Sequence, residues 1–342
     1  MTQWHTFLKS QGAVLGGSQV ANFGDAQAEL QATASGNMLA DLSHLGLLQI
    51  SGEDAVSFLQ GQVTNDIKLL NGHNSQYAGY CNPKGRLLAL FLAFVHHNHL
   101  YLQLHGTLLE PIMKRLKMYV MRSKVTIVDV SANTLCIGVA GKDTEASLRA
   151  IFGKVPNQVH ELVSLDNAAL LRMPGAAPRY LIFSDAKYAP TIWEQLQKTH
   201  KSVGKACWDW LEIQAGIPEI SPETQEEFVP QMINLDALDG INYKKCCYTG
   251  QEIVARMHYL GKIKRRTQLA HIATNEQPQA GDDVFSTGSN EPVGKMVRSA
   301  PSPQGGFDVL AEIRLESLET GTMHLKPADG PALELLKLPY AL

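Results

Sequence analysis

The longest unbroken apolar run, Leu87 to Val95, has the length of a buried strand and is too short to cross a bilayer. Just before it stand Asn82-Pro83-Lys84-Gly85, a proline of fixed φ and a permissive glycine at the offsets of a tight turn. Tyr77 to Cys81 precedes the turn, so the spacing predicts a hairpin around which neighbouring elements must pack. A strand is predicted over Leu47 to Ile50. Ser51, with Asp54 three residues on, predicts a capping-box helix running through Phe58, Leu59 and Val63. Thr107 and Glu110 predict a second such helix through Ile112, Leu116 and Val120, followed by a strand over Val125 to Val130.

His96-His97-Asn98-His99 falls at the far tip of the hairpin, with no carboxylate or Cys in register, and reads as a solvated turn rather than a metal site. The basic run Lys114, Arg115, Lys117, Arg122 and Lys124 reads as the wet face of a helix. From Thr134 the punctuation changes. A strand over Cys136 to Ala140, a helix opened by Asp143, strands at Leu162 to Leu165, Ala169 to Met173 and Tyr180 to Phe183, and a helix over Pro190 to His200 suggest a small split βαβ unit. A further helix starts at Lys205 and stops at Gly216, where Pro218 forbids continuation. Pro218 to Glu227 is an acidic loop. The tail alternates short strands with Gly and Pro turns from Leu269 to Leu336, which suggests a small β-barrel.

A chain of 342 residues can bury two or three cores, and 18% charged residues is ordinary for a globular protein. The formal net charge of −3 argues against bulk nucleic-acid binding while leaving local patches open. Met1 to Gly17 lacks the charged-then-apolar layout of a signal peptide, and the 5 cysteines form no CxxC, so a reducing, cytoplasmic setting without membrane contact is expected.

The chemistry concentrates between Phe228 and Arg256. Cys246 and Cys247 lie between Lys244-Lys245 and a helix-start pattern, Gly250-Gln251-Glu252. Cations and a helix dipole both favour a thiolate, and a thiol so placed is a nucleophile, a redox centre or a metal ligand. Lys244, Lys245, Arg256, Lys262, Lys264, Arg265 and Arg266 face a single carboxylate, Glu252, in this stretch, a field suited to a polyglutamate tail, a phosphate or RNA.

Lys245-Cys246-Cys247-Tyr248-Thr249-Gly250-Gln251-Glu252 resembles the K-G-C-[FY]-x-G-Q-E signature of the YgfZ-type folate-binding proteins, relatives of the glycine-cleavage aminomethyltransferase, or T-protein. The resemblance extends through Pro230-Gln231, Asn234-Leu235 and Arg256, and again from Ile50 to Asp66. It implies an α+β, T-protein-like fold: a discontinuous folate-binding domain (1–132 and 203–260), an inserted ferredoxin-like domain (133–202) and a C-terminal β-barrel (261–342). It also implies a monomeric accessory factor for iron–sulfur cluster assembly and tRNA modification, with folate as ligand and iron–sulfur enzymes, assembly proteins and tRNA as partners. Cys247 is the implied reactive group, with Lys244 and Lys245 lowering its pKa and Tyr248, Gly250, Gln251 and Glu252 supporting the loop. Trp208, Gln214, Arg256 and Leu45 are the implied folate-contacting positions.

Five residues depart from the patterns of these relatives. Cys246 replaces a Gly, and is strained if that Gly serves a positive φ. Gln214 replaces the Glu that grips the pterin ring and lacks its charge assistance. Leu45 replaces a Trp. Leu88 and Ala89 stand where the T-protein carries an Asp pair, so a folate-dependent aminomethyl transferase, the first alternative, lacks its acid–base group. A non-enzymatic tRNA-binding scaffold is the second alternative. A stable metal centre is not expected, because no third and fourth Cys or His sit at ligand spacing.

Overall fold

The computed structural model describes residues 3–289, 291–326 and 330–342. The chain forms two compact units, each built from three segments. The first comprises Met1–Ala55, Leu69–Gln76 and Leu92–Trp208; the second comprises Val56–Lys68, Tyr77–Phe91 and Asp209–Leu342.

In the first unit a six-stranded sheet runs in the order Leu162–Ser164, Ala168–Met173, Arg179–Asp185, Thr134–Ala140, Met38–Asp41, Lys201–Val203. Only the last pair is parallel. The segment expected to form an inserted ferredoxin-like domain therefore shares its sheet with Met38–Asp41, whose register places Leu39 against Val139. Helices Gln3–Ser10, Thr144–Phe152 and Ala189–Leu196 contribute to the core of this unit, where Trp4 meets Trp193 edge-on at 5.6 Å.

The predicted hairpin is present as strands Ser75–Cys81 and Leu87–His96, each of which belongs partly to either unit. Its turn closes with Gly85 N–H donating to the Asn82 carbonyl at 2.9 Å. Leu87–His96 continues into a second hairpin with His99–Leu104. His97 and Asn98 have φ of 47° and 61°, the two positive values that a type I′ turn requires. The histidine run is thus a hairpin tip, with His96 Nδ1 2.6 Å from Ser164 Oγ.

Two predicted capping boxes are absent. Ser51 completes the strand Gly46–Ser51, paired with Thr126, and the helix begins only at Ala55 because Asp54 turns away to accept from the Lys124 N–H. Thr107 bonds His105 instead, and a 3-10 turn, Gly106–Leu108, leads into the helix Leu109–Val120.

The C-terminal part of the second unit is a curled, antiparallel six-stranded half-barrel. Its order is Met323–Leu325, Asp283–Ser286, Gly294–Pro301, Phe307–Arg314, Arg265–Ile272, Leu333–Leu336. Alternate residues Val309, Ala311 and Ile313 point into its core, as strand periodicity demands. A bridge between His324 and Ala332 links the two outer strands, curling the sheet toward closure. Among the described residues no helix is long and apolar enough to cross a membrane.

The hairpin tip yields a pH prediction. Burial, reinforced by the neighbouring His97, lowers the His96 pKa from 6.5 to about 4. The unfolded chain takes up this proton near 6.5 and the folded chain does not, so the stability it contributes is present above that pH and lost as pH falls toward 4. His96→Gln should flatten the acid arm of the denaturant stability curve over that window. Superimposable arms in wild type and variant would contradict the assignment.

Candidate functional site

The stretch from Gln60 to Asp66 folds into an irregular loop because its polar side chains are spent on fixing it. Thr64 Oγ1 donates to the Gly240 carbonyl at 2.6 Å and accepts from the Gly79 N–H at 2.8 Å. Asn65 Nδ2 donates to the carbonyls of Tyr77 and Asp239, and Gln60 binds Asp66 and the Ile67 N–H. Three main-chain carbonyls, those of Gln60, Val63 and Asn65, are left converging on one point. Lys245 Nζ sits there, donating to them at 2.7, 2.6 and 2.7 Å. An ammonium has three donors, and all three are used.

Lys245 is buried, and burial pulls its pKa from 10.5 down to about 8, against Asp66 and Cys246, which favour the charged form. Its ammonium also lies 5.2 Å from the centre of the Tyr248 ring, a cation–π contact. Tyr248 is buried in turn, and burial pushes its hydroxyl pKa well up, with Cys81 and Tyr243 adding to the effect. Lys245 and Tyr248 thus pin the chain on either side of Cys246 and Cys247, which are both exposed. The other cysteines, Cys81, Cys136 and Cys207, are buried, and burial pushes Cys81 up to about 12, so it stays a thiol.

The loop ends on glycine for a geometric reason. Gly250 caps the helix Gln251–Tyr259 at φ 82°, and a Cβ there would meet the Asn82 carbonyl oxygen at 2.5 Å and Gly85 Cα at 2.8 Å. Gly85 has φ 71° and would carry its own Cβ into Ile253 at 2.9 Å. The two glycines let the hairpin turn and the helix start touch backbone to backbone. Gln251 Nε2 reaches back to the Lys245 carbonyl at 3.4 Å, while Glu252 is exposed on the first helical turn. Gln231, wholly buried, holds the helix from below by donating to the Val254 carbonyl at 2.8 Å and to Tyr243 Oη at 3.2 Å.

Cys246 is not among the described non-glycine residues with positive φ, so the strain expected from its replacing a glycine is absent. The basic field is also smaller than the sequence implied. Arg265 pairs with Glu312 at 3.0 Å, Arg266 binds both oxygens of Asp236, and Lys245 is buried. Lys244, Arg256, Lys262 and Lys264 remain exposed.

Two of the implied folate positions, Gln214 and Trp208, have protein partners. Gln214 Nε2 donates to Asp308 Oδ2 at 2.9 Å, an oxygen that also accepts from Trp210 Nε1 at 2.7 Å, while His271 Nδ1 lies 2.8 Å from Asp308 Oδ1. Trp208 lies in the first unit, only 3% exposed, with the Arg179 guanidinium 5.0 Å over its ring. Leu45 is half-buried in the turn after Met38–Asp41, and Arg256 is exposed on its helix. One face of the Trp208 indole is thus covered by a guanidinium, and the Gln214 amide nitrogen is committed to Asp308.

Sequence reasoning missed Gln60, Val63 and Asn65, which act through carbonyls, and Asp308; it read Gly85 as a turn residue but not its contact with the helix start. The only signal for the first three was the resemblance over Ile50 to Asp66.

The GCVT N-terminal domain family matches residues 3–240. The tRNA-modifying protein YgfZ of Sodalis glossinidius is 31% identical over 312 residues, covering 89% of this chain and 93% of that protein. The protein of the same name from Colwellia psychrerythraea is 35% identical over 248 residues, 72% of this chain and 75% of its own length. The structure of glycine cleavage system aminomethyltransferase T from Bartonella henselae superposes with a TM-score of 0.77 over 98% of this chain and 96% of that one, at 17% identity, a likeness of fold.

Two variants test the geometry. Gly250→Ala forces a Cβ against backbone at a positive φ and should cost on the order of 1–3 kcal/mol in urea denaturation; an unchanged midpoint would contradict the contact with the hairpin turn. Gln214→Glu should destabilise by on the order of 1–2 kcal/mol at neutral pH, because it sets a carboxylate against Asp308. Adding Asp308→Asn should restore the loss, and additive losses in the double variant would contradict the pairing.

Proposed function

Because the chain belongs to the GCVT family, in its YgfZ-type branch, we propose that it is an accessory factor of tRNA modification that works through Cys247. Its clients are the iron–sulfur enzymes among the tRNA-modifying ones, whose clusters or cluster intermediates it helps to mature or repair. The observation that carries this reading is the display of sulfur. Of the cysteines, only Cys246 and Cys247 are exposed, and they stand between a lysine locked on three carbonyls and a buried tyrosine. A thiolate held at the surface by a fixed loop is a soft donor with an open side, able to exchange with a partner's disulfide or ligate an iron of the partner's cluster in passing.

Each side chain has a role in this reading. Lys245 contributes position and charge rather than a proton, since its three N–H bonds are taken. Lys244 and Arg256, both exposed, set a positive rim that attracts an anionic cluster or the phosphates of a bound tRNA. Folate is part of the family's implied chemistry, but no step here is routed through it, given the engagements of Trp208 and Gln214. Aminomethyl transfer is disfavoured by Leu88 and Ala89, both buried and apolar in the strand Leu87–His96.

The test is complementation of a strain lacking its own copy, read as thiolated nucleosides in bulk tRNA by mass spectrometry. Cys247→Ser should reduce them to the level of the deletion, while circular dichroism and melting temperature stay at wild type. Wild-type nucleoside levels in Cys247→Ser would sink the thiol mechanism.

A further inference from the structure

The proposed function uses one of two adjacent thiols and leaves Cys246 without a task. The backbone does not demand glycine there, because the φ of Cys246 is not positive, so the side chain costs no strain. Cys246 is exposed beside Cys247, and both lie outside any helix or strand. Every other cysteine is buried, so the accessible thiols of this chain are two consecutive residues. We propose that Cys246 is the resolving thiol of Cys247: when Cys247 is oxidised by a hydroperoxide, Cys246 captures the product as a vicinal disulfide. The inference rests on the reading of Cys247 as the reactive group.

The steps balance with a hydroperoxide as oxidant. The Cys247 thiolate attacks the terminal oxygen of the hydroperoxide, the O–O bond breaks, and the alkoxide leaves and takes a proton to become an alcohol. Cys247 is then a sulfenic acid. The Cys246 thiolate attacks the Cys247 sulfur, the S–S bond forms, the S–O bond breaks, and hydroxide leaves with a proton as water. Two thiols lose two electrons and two protons, and the hydroperoxide is reduced to alcohol and water.

Local geometry sets the lifetime of the product. Consecutive Cα atoms stand about 3.8 Å apart, below the roughly 4.4–6.8 Å span of ordinary disulfides. A disulfide closed between them is therefore strained, and strained, exposed disulfides are readily reduced. The bond suits a temporary cap and not a structural link. Lys245 on its three carbonyls and the buried Tyr248 confine the distortion to the two residues between them. Without the cap, a sulfenic acid at Cys247 is open to a second hydroperoxide and passes to sulfinic acid, which thiols do not reverse.

The experiment treats the full chain and its Cys246→Gly variant with tert-butyl hydroperoxide, then analyses the tryptic peptide 246–256 by mass spectrometry with and without dithiothreitol. Wild type should lose two hydrogens, without added oxygen, and return to the starting mass on reduction. Cys246→Gly should gain two oxygens at Cys247 that dithiothreitol does not remove. Equal accumulation of the two-oxygen product in both proteins overturns the resolving role while leaving Cys247 a reactive thiol. An unmodified Cys247 in both overturns the resolving role and removes the reading it rests on.

Discussion

One buried ammonium organises the loop that carries the two exposed cysteines. Lys245 Nζ satisfies three carbonyls of the Gln60 to Asn65 loop, each a strong acceptor that would otherwise be stranded away from water. Hydrogen bonds to a charged group contribute about 1.5–3 kcal/mol each when made, and leaving their partners unmade costs comparably. Burying the charge opposes this, as the lowered Lys245 pKa records, so the net stabilisation is modest while the geometric demand is strict. The loop around Cys246 and Cys247 is anchored at both ends, because its neighbours on both sides are committed below the surface.

That commitment explains why so many polar residues around the loop are buried. Thr64, Asn65 and Gln231 carry no reactive chemistry, yet each is buried and spans backbone segments that have no regular ladder to hold them. Irregular backbone needs side-chain partners where helix and sheet would have supplied main-chain ones. Gly85 and Gly250 act by absence, letting a turn and a helix start touch. The half-barrel joins the same scheme through Asp308, whose carboxylate gathers Trp210, Gln214 and His271. An amide at position 214 matches that carboxylate, where a glutamate would repel it.

Legibility in the sequence divides along the same line. The hairpin, its Asn82 to Gly85 turn, the helix opening at Gln251 and the tail strands were readable because short-range chemistry decides them. The capping boxes at Ser51 and Thr107 were misread because tertiary partners won: Ser51 joined a strand ladder and Asp54 answered Lys124. The signature made Cys247 and Lys245 visible as a pair, but the task of Lys245 was hidden. Its acceptors are carbonyls 180 to 185 residues away, and a carbonyl leaves no mark on the side-chain alphabet. Local charge counting overstated the basic field for the same reason, since Glu312 and Asp236 come from elsewhere in the chain to neutralise Arg265 and Arg266.

The most direct measurement of this account is amide hydrogen exchange on Lys245→Met, a variant that keeps the stem and removes the ammonium. If the ammonium ties the two loops together, protection should fall in concert over residues 60–66 and 243–250, while the strand Phe307–Arg314 exchanges as in wild type. Unchanged protection in both loops, in a folded variant, would contradict the claim that Lys245 holds the cysteine loop in place.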